Sequence, residues 1–258
     1  MMKRRWSQAG PPIVAVLLLL VLWQLSVTAF QVEKWILPSP INIAWEAWIN
    51  RADLLKHTWA TIQLTLLGFG IGTAFGLLVA MVLHPIPLIK RALYPLIILT
   101  QNVPTIALLP LLMIWFGFGL LPKLMVITLV CFFPITVAMM DGFMQTDRTM
   151  IRYMRMAGAS RSQLFWKLEL PSSLPSLFSG LKIAATYSVM SSIVAEWMGA
   201  DKGIGYYMNL QKAAYRTDRM FVAIMIIVLL SIAMFGLVKW IESRTIHWRT
   251  NHGEQEEG

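Results

Sequence analysis

Six apolar stretches, each near the length of a membrane span, restrict this chain more than any other feature of its sequence. Uncharged runs cover 12–30, 58–89, 92–122, 124–140 and 220–238, and a further stretch, 173–198, is interrupted only by Lys182 and Glu196. A helix crossing the hydrocarbon core needs roughly 20 mostly apolar residues. Backbone groups in hydrocarbon must bond within their own segment, which these long unpatterned runs can do only as helices. Spans are therefore expected at about 12–30, 58–83, 92–116, 122–143, 173–198 and 219–241. The expected fold is an all-α integral membrane protein, with one transmembrane domain over 1–258 and six helices. Charge agrees: 14% of the residues are charged, against about 25% in soluble domains. The run 92–122 exceeds one straight span. Pro104, Pro110 and the closing Gly117-Phe118-Gly119 suggest a kinked helix followed by a tight turn.

The basic residues orient the spans. If six spans alternate, 13 Lys and Arg fall on one side, among them Lys3, Arg4, Arg5, Lys90, Arg91, Arg148, Arg152, Arg155 and Arg244, and eight fall on the other. The richer side faces the cytoplasm, which places both termini there. Lys3–Arg5 followed by Ile13–Leu22 also has the outline of a cleavable signal. The apolar run outlasts a signal core, so an uncleaved first span is expected. The acidic tail Glu254–Glu257 is expected to be disordered.

Several function classes find no support. The net charge of +9 belongs to loops between spans and does not point to nucleic acid. There is no G-x-x-x-x-G-K-[ST] phosphate loop. The four histidines are scattered, the one cysteine, Cys131, lies inside an apolar run, and no Ser/His/Asp grouping stands out. No catalytic, metal or cofactor site is expected in this chain.

The inner loop 144–171 is patterned. Leu164, Phe165 and Leu168 fall on one face at helical spacing, with Arg161, Ser162 and Lys167 around the rest. Leu170-Pro171 is expected to end this helix, since proline lacks the N–H and disfavours helix before it. Such an apolar face needs a cover, either the membrane surface or a partner protein.

Gly158, nine residues, then Leu168-Glu169-Leu170-Pro171 resembles the cytoplasmic signature of ABC-importer permeases, although Arg152, Tyr153 and Met154 stand where the family has Glu-Ala-Ala. Leu37-Pro38-Ser39-Pro40, Trp115-Phe116-Gly117-Phe118-Gly119, and Ala195–Ala200 followed by Gly203-Ile204-Gly205 resemble one branch of these permeases. That branch imports nitrate, taurine and other sulfonates, and the pyrimidine precursor of thiamine. The resemblance spans about 20–245, and Asp141-Gly142-Phe143 with the Ala-Glu-Trp form favours the pyrimidine importers.

The resemblance implies a bacterial plasma-membrane permease working as a homodimer, with an ABC ATPase subunit that holds the ATP and an extracytoplasmic substrate-binding protein. The inner loop would be its coupling helix, carried by Gly158, Arg161, Leu164, Phe165, Leu168, Leu170 and Pro171. A secondary transporter using Glu196 as a proton-linked carboxylate, and a membrane scaffold, are the competing readings.

Within the spans, Glu196 is either a structural hydrogen-bonder near the outer end or a pathway residue, since a carboxylate in a bilayer faces protein or water. Gln101 and Asn102 either bond across helices or line the solute path. Lys182 is expected to snorkel or to pair between helices. The tryptophans that flank spans read as interface anchors. Gly68, Gly70, Gly72 and Gly76 allow close helix packing.

Overall fold

A computed structural model describes residues 2–246, and every regular element among them is helical. In order these are α1 (Met2–Ala29), α2 (Pro40–Ile49), α3 (Arg51–Leu83), α4 (Pro87–Thr100), α5 (Thr105–Phe116), α6 (Leu120–Met144), α7 (Arg148–Met156), α8 (Arg161–Leu164), a π-helical segment Phe165–Glu169, α9 (Leu170–Trp197), α10 (Ile204–Ala213) and α11 (Thr217–Thr245). Four segments are long and apolar enough to cross a membrane: Arg51–Leu83, Leu120–Met144, Arg161–Trp197 and Thr217–Thr245. Ile13–Ala29 and Ile106–Phe116 are shorter apolar helices. The expected tail Glu254–Glu257 lies outside the described residues.

The core forms where α6 is held between α3 and α9. Lipid tails are as apolar as leucine, so these helices gain little from hiding apolar surface and much from close van der Waals contact. Glycine supplies the closeness. Gly68, Gly72 and Gly76 recur every four residues and so share one face of α3. A Cβ at Gly72 would sit 2.6 Å from Cys131 Cβ, and one at Gly76 would sit 2.9 Å from the Phe132 carbonyl oxygen. On the other side of α6, a Cβ at Gly180 of α9 would lie 2.6 Å from Ala138 Cβ and from the Pro134 carbonyl oxygen. Gly70 meets nothing within 4 Å. Polar side chains then bond across the seams: Thr136 donates to the Gly76 carbonyl at 3.0 Å, and Thr65 to Ser192 at 2.9 Å. The expected close-packing role of the glycines is met inside one chain, with Gly70 outside it.

Two long loops of the sequence reading contain helices. Ser39 caps α2, its hydroxyl accepting from Asn42 N, with Pro40 preset for the first turn. Helix α3 starts at Arg51, well before the uncharged run. Glu46 of α2 joins Arg216 and Arg219 at 3.0 Å each, fastening α2 to the start of α11. Lys182 pairs with Glu242 at 2.9 Å, an interhelical charge between α9 and α11. The span expected at 92–116 is not one kinked helix. It is α4 and α5, separated at Gln101–Pro104. Gly117 and Gly119, with φ of 78° and 148°, make the tight turn that follows.

Leu170-Pro171 does not end a helix, and this corrects the expectation above. Chain 161–197 runs on as one helix through the π segment, where Leu170 N bonds to the Phe165 carbonyl five residues back. The wider turn gives room for the proline ring, which would otherwise strike the carbonyl four residues earlier.

Gly76→Val should force apart α3 and α6 and lower stability by about 1–3 kcal/mol, whereas Gly70→Val should stay within about 0.5 kcal/mol. Thermal melts of the two purified variants in detergent check this, and equal melting temperatures would contradict the packing account.

Candidate translocation and coupling sites

At one end of the bundle the Glu196 carboxylate is 2% exposed and fully engaged. Oε1 accepts from the Thr61 hydroxyl at 2.7 Å and Oε2 from the Gly205 N–H at 2.8 Å. Thr61 in turn accepts from Ile204 N at 2.8 Å, and His57 Nδ1 accepts from Gly203 N at 3.1 Å. These N–H groups open helix α10, whose N-terminus has no acceptor of its own because Gly203 stands at the cap. A carboxylate there also meets the positive end of the helix dipole. Glycine is required on the other side of the contact. A Cβ at Gly203 would overlap the Glu196 carboxyl, and one at Gly205 would lie 2.9 Å from Glu196 Cβ.

Sequence reasoning missed Thr61 and His57 in this cluster. Their only signal was a hydroxyl and an imidazole at the start of an otherwise apolar run. The Tyr207 ring of α10 lies 5.5 Å from that of His57, tilted by 47°, and burial pushes its phenol above the ordinary range, so it remains neutral. A cavity of ≈ 560 Å³ adjoins the cap, lined by Gln63, Lys123, Glu196 and Asp201.

Gln101 and Asn102 lie in the break between α4 and α5, and both are exposed. Neither bonds across helices among the described residues: Asn102 Nδ2 donates only to the Leu99 carbonyl of its own strand of chain, at 3.5 Å. With α4 rising about 21 Å and α5 about 18 Å, the break falls midway along their combined length. Within the break the Asn102 and Val103 N–H groups turn back on the Leu99 and Thr100 carbonyls at 3.1 and 3.2 Å, while the carbonyls of Gln101, Asn102 and Val103 accept no backbone bond among the described residues.

At the opposite end, α7 begins on Asp147, which accepts from Thr149 N at 2.7 Å. It ends in a Schellman turn: Gly158 N bonds to the Arg155 carbonyl and Ala159 N to the Met154 carbonyl, each at 3.0 Å. Gly158 has φ of 81° with nothing within 4 Å of a Cβ, so its demand is conformational rather than steric. Ser160 and Gln163 then form a capping box on α8.

The apolar face expected to meet the membrane surface or a partner is partly met by the chain itself. Leu164 is 4% exposed. Phe165 packs toward the core beside Phe143 and His84, with ring centroids at 5.8 and 6.0 Å. His84 stacks on Phe143 at 4.1 Å and bonds to Glu169 at 2.8 Å, tying the end of α3 to the π segment. Leu168 and Leu170 are half-buried, Pro171 likewise, and Arg161 is exposed. The apolar surface presented outward is on α7, where Tyr153 is 67% and Met156 80% exposed, beside Trp166. Asp141-Gly142-Phe143 is structural too, with Asp141 accepting from Tyr94 at 3.3 Å and a Cβ at Gly142 lying 2.7 Å from Ser173 Cβ.

Residues 72–247 match the family described as binding-protein-dependent transport system inner membrane component. This chain belongs to that family. It is an ABC-importer permease and a multi-pass membrane protein. The permease is 34% identical over 249 residues to the formylaminopyrimidine transport permease protein ThiX of Halalkalibacterium halodurans, covering 96% of this chain and 99% of that one. It is 28% identical over 263 residues to the taurine transport system permease protein TauC of Escherichia coli, covering 98% and 94%. Among solved structures, an inward-facing MetNI methionine ABC transporter chain superposes with a TM-score of 0.61 at 20% identity, over 74% of the permease and 97% of that chain.

Replacing Glu196 with alanine should leave the Gly205 N–H buried without an acceptor, at a cost of about 1–3 kcal/mol. Glu196→Gln keeps an oxygen in reach and should melt closer to the parent chain. If Glu196→Gln instead melts no higher than Glu196→Ala, the charge rather than the acceptor holds the cap.

Proposed function

We propose that the permease forms a homodimer of six-span subunits that carries a small nitrogen heteroaromatic, an aminopyrimidine related to thiamine synthesis, through a path bordered by Gln101 and Asn102. The observation that carries the path is the exposed helix break. A break between two apolar helices is best accommodated against a protein surface or water, and the exposed side-chain amides of Gln101 and Asn102 offer both donors and acceptors to a ring edge. The similarity to a formylaminopyrimidine permease supports the substrate class. Aliphatic sulfonate or taurine is the second reading, supported by the taurine relative. Both termini lie in the cytoplasm in this reading, on the side of the α7–α8 loop.

The chain itself holds no cofactor and performs no covalent chemistry. ATP belongs to a separate ATPase subunit, and an extracytoplasmic binding protein delivers the solute. The ATPase docks on α7 through Met150, Tyr153 and Met156, with Gly158 setting the turn and Arg161 at the rim. Leu164, Phe165, Leu168, Leu170 and Pro171 hold the loop from beneath, so that its movement reaches α3 through the His84–Glu169 bond.

In vesicles containing permease, ATPase and binding protein, Gln101→Leu with Asn102→Leu should cut ATP-driven formylaminopyrimidine uptake about tenfold or more, the equivalent of roughly 1.4 kcal/mol, with the complex intact. Uptake of taurine but not of the pyrimidine by the unmodified complex would reverse the substrate ranking.

Docking is tested separately. Tyr153→Ala with Met156→Ala should remove the ATPase from the purified complex, whereas Phe165→Ala with Leu168→Ala should chiefly lower thermal stability, by about 3–5 kcal/mol or somewhat less for half-buried side chains. Full co-purification of the ATPase with the first pair would sink the assignment of α7.

A further inference from the structure

An apolar groove of ≈ 710 Å³ runs between α1, α2, α3 and α11, on the side of the bundle away from the α3–α6 seam. Trp23 of α1, Ala47 of α2, Leu54 of α3 and the face of α11 from Val222 to Ala233 line it. That face of α11 rises about 16 Å, close to the ~15 Å of one leaflet in a 30 Å hydrocarbon core.

Thr58, Arg51 and the Trp23 indole bring polar groups to the apolar lining, and the last two matter here. Arg51, the first residue of α3, stands at the end nearest α2. Its guanidinium lies 4.7 Å from the Trp48 ring centroid and donates one bond, to the Trp48 carbonyl at 2.9 Å. It enters no ion pair among the described residues. The indole N–H of Trp23 is buried and has no acceptor among the described residues. Exposed Trp45 and Trp48 flank this same end, as tryptophans do at the boundary between headgroups and hydrocarbon.

We propose that this groove binds one acyl chain of an anionic phospholipid, with the phosphate on Arg51 and an ester carbonyl accepting from the Trp23 N–H. Each part of the lipid answers a feature of the groove. The chain supplies van der Waals contact over one leaflet's depth. The carbonyl satisfies a donor whose burial without a partner is costly. The phosphate meets a planar guanidinium with donors to spare. In the orientation proposed above the site lies in the outer leaflet, although its existence does not depend on that orientation. The lipid would also fix α1, whose residues facing away from the groove are exposed and which is otherwise tied to α2 by the Ile41 N–H on Gln24 at 3.4 Å.

The test uses the full chain reconstituted in vesicles of phosphatidylethanolamine and phosphatidylglycerol, extracted in mild detergent, with retained lipid counted by native mass spectrometry. The unmodified chain should keep phosphatidylglycerol. Arg51→Gln should retain it roughly tenfold less well, as expected for losing a hydrogen bond to a charged group. Trp23→Phe should lower retention while preserving the ring, and Ala47→Trp should fill the groove and abolish binding. Thermal melts without lipid identify any variant that has merely failed to fold, and Arg51→Gln, at an exposed position, serves if Ala47→Trp does. Wild-type retention by Arg51→Gln and Trp23→Phe would mean that the lipid is unselective and the site wrong. Disulfide trapping of Ala47→Cys across two protomers, with lipid retention unchanged, would show that a second copy fills the groove and would equally overturn the proposal.

Discussion

Contact between α3, α6 and α9 depends on letting backbones approach within the reach of carbonyl oxygens, because a bilayer gives apolar helices little other reason to associate. The glycines at 72, 76 and 180 make that possible from both sides of α6. Everything that follows is placed by this three-helix stack. It fixes α9, and α9 carries Glu196 at one end and the π segment at the other. It fixes α3, which carries Thr61 to the cap and His84 to the loop. The two polar clusters are thus held a full span apart by the same pair of helices.

The cap shows how a buried carboxylate is retained inside a bundle. Glu196 loses its water but gains two donors, and it relieves α10 of unpaired amides. The break at Gln101–Pro104 is the reverse case. Its side-chain amides have no partners across helices among the described residues, and they are exposed.

The long spans were legible because their signal is length and apolarity alone, and α2 could have been read from Ser39 and Pro40. Helix α10 could not. It is short and half-polar, and its cap comes from Glu196 on another helix instead of from a local Ser or Asp. The loop was half legible. The spacing of Leu164, Phe165 and Leu168 marked an apolar face, but periodicity does not say what that face meets; in the structure Phe165 lies beside His84 and Phe143. Helix α7 went unread because its exposed Tyr153 and Met156 alternate with arginines and make no continuous apolar run. Pro171 looked like a stop because a proline's tolerance inside a helix depends on the turn before it, and π bonding leaves no trace in composition.

That turn also sets an angular phase. A π segment accommodates one residue more than an α turn of the same rise, so residues beyond Glu169 are rotated by about 100° from where an uninterrupted α-helix would place them. The face of α9 that meets α6 through Gly180, and the direction in which Glu196 points, are therefore both indexed to Phe165–Glu169. Deleting the exposed Lys167 would turn the whole far half of the helix away from its partners. Aligned relatives with a residue more or fewer at this point would have to reset that angle elsewhere along the same helix.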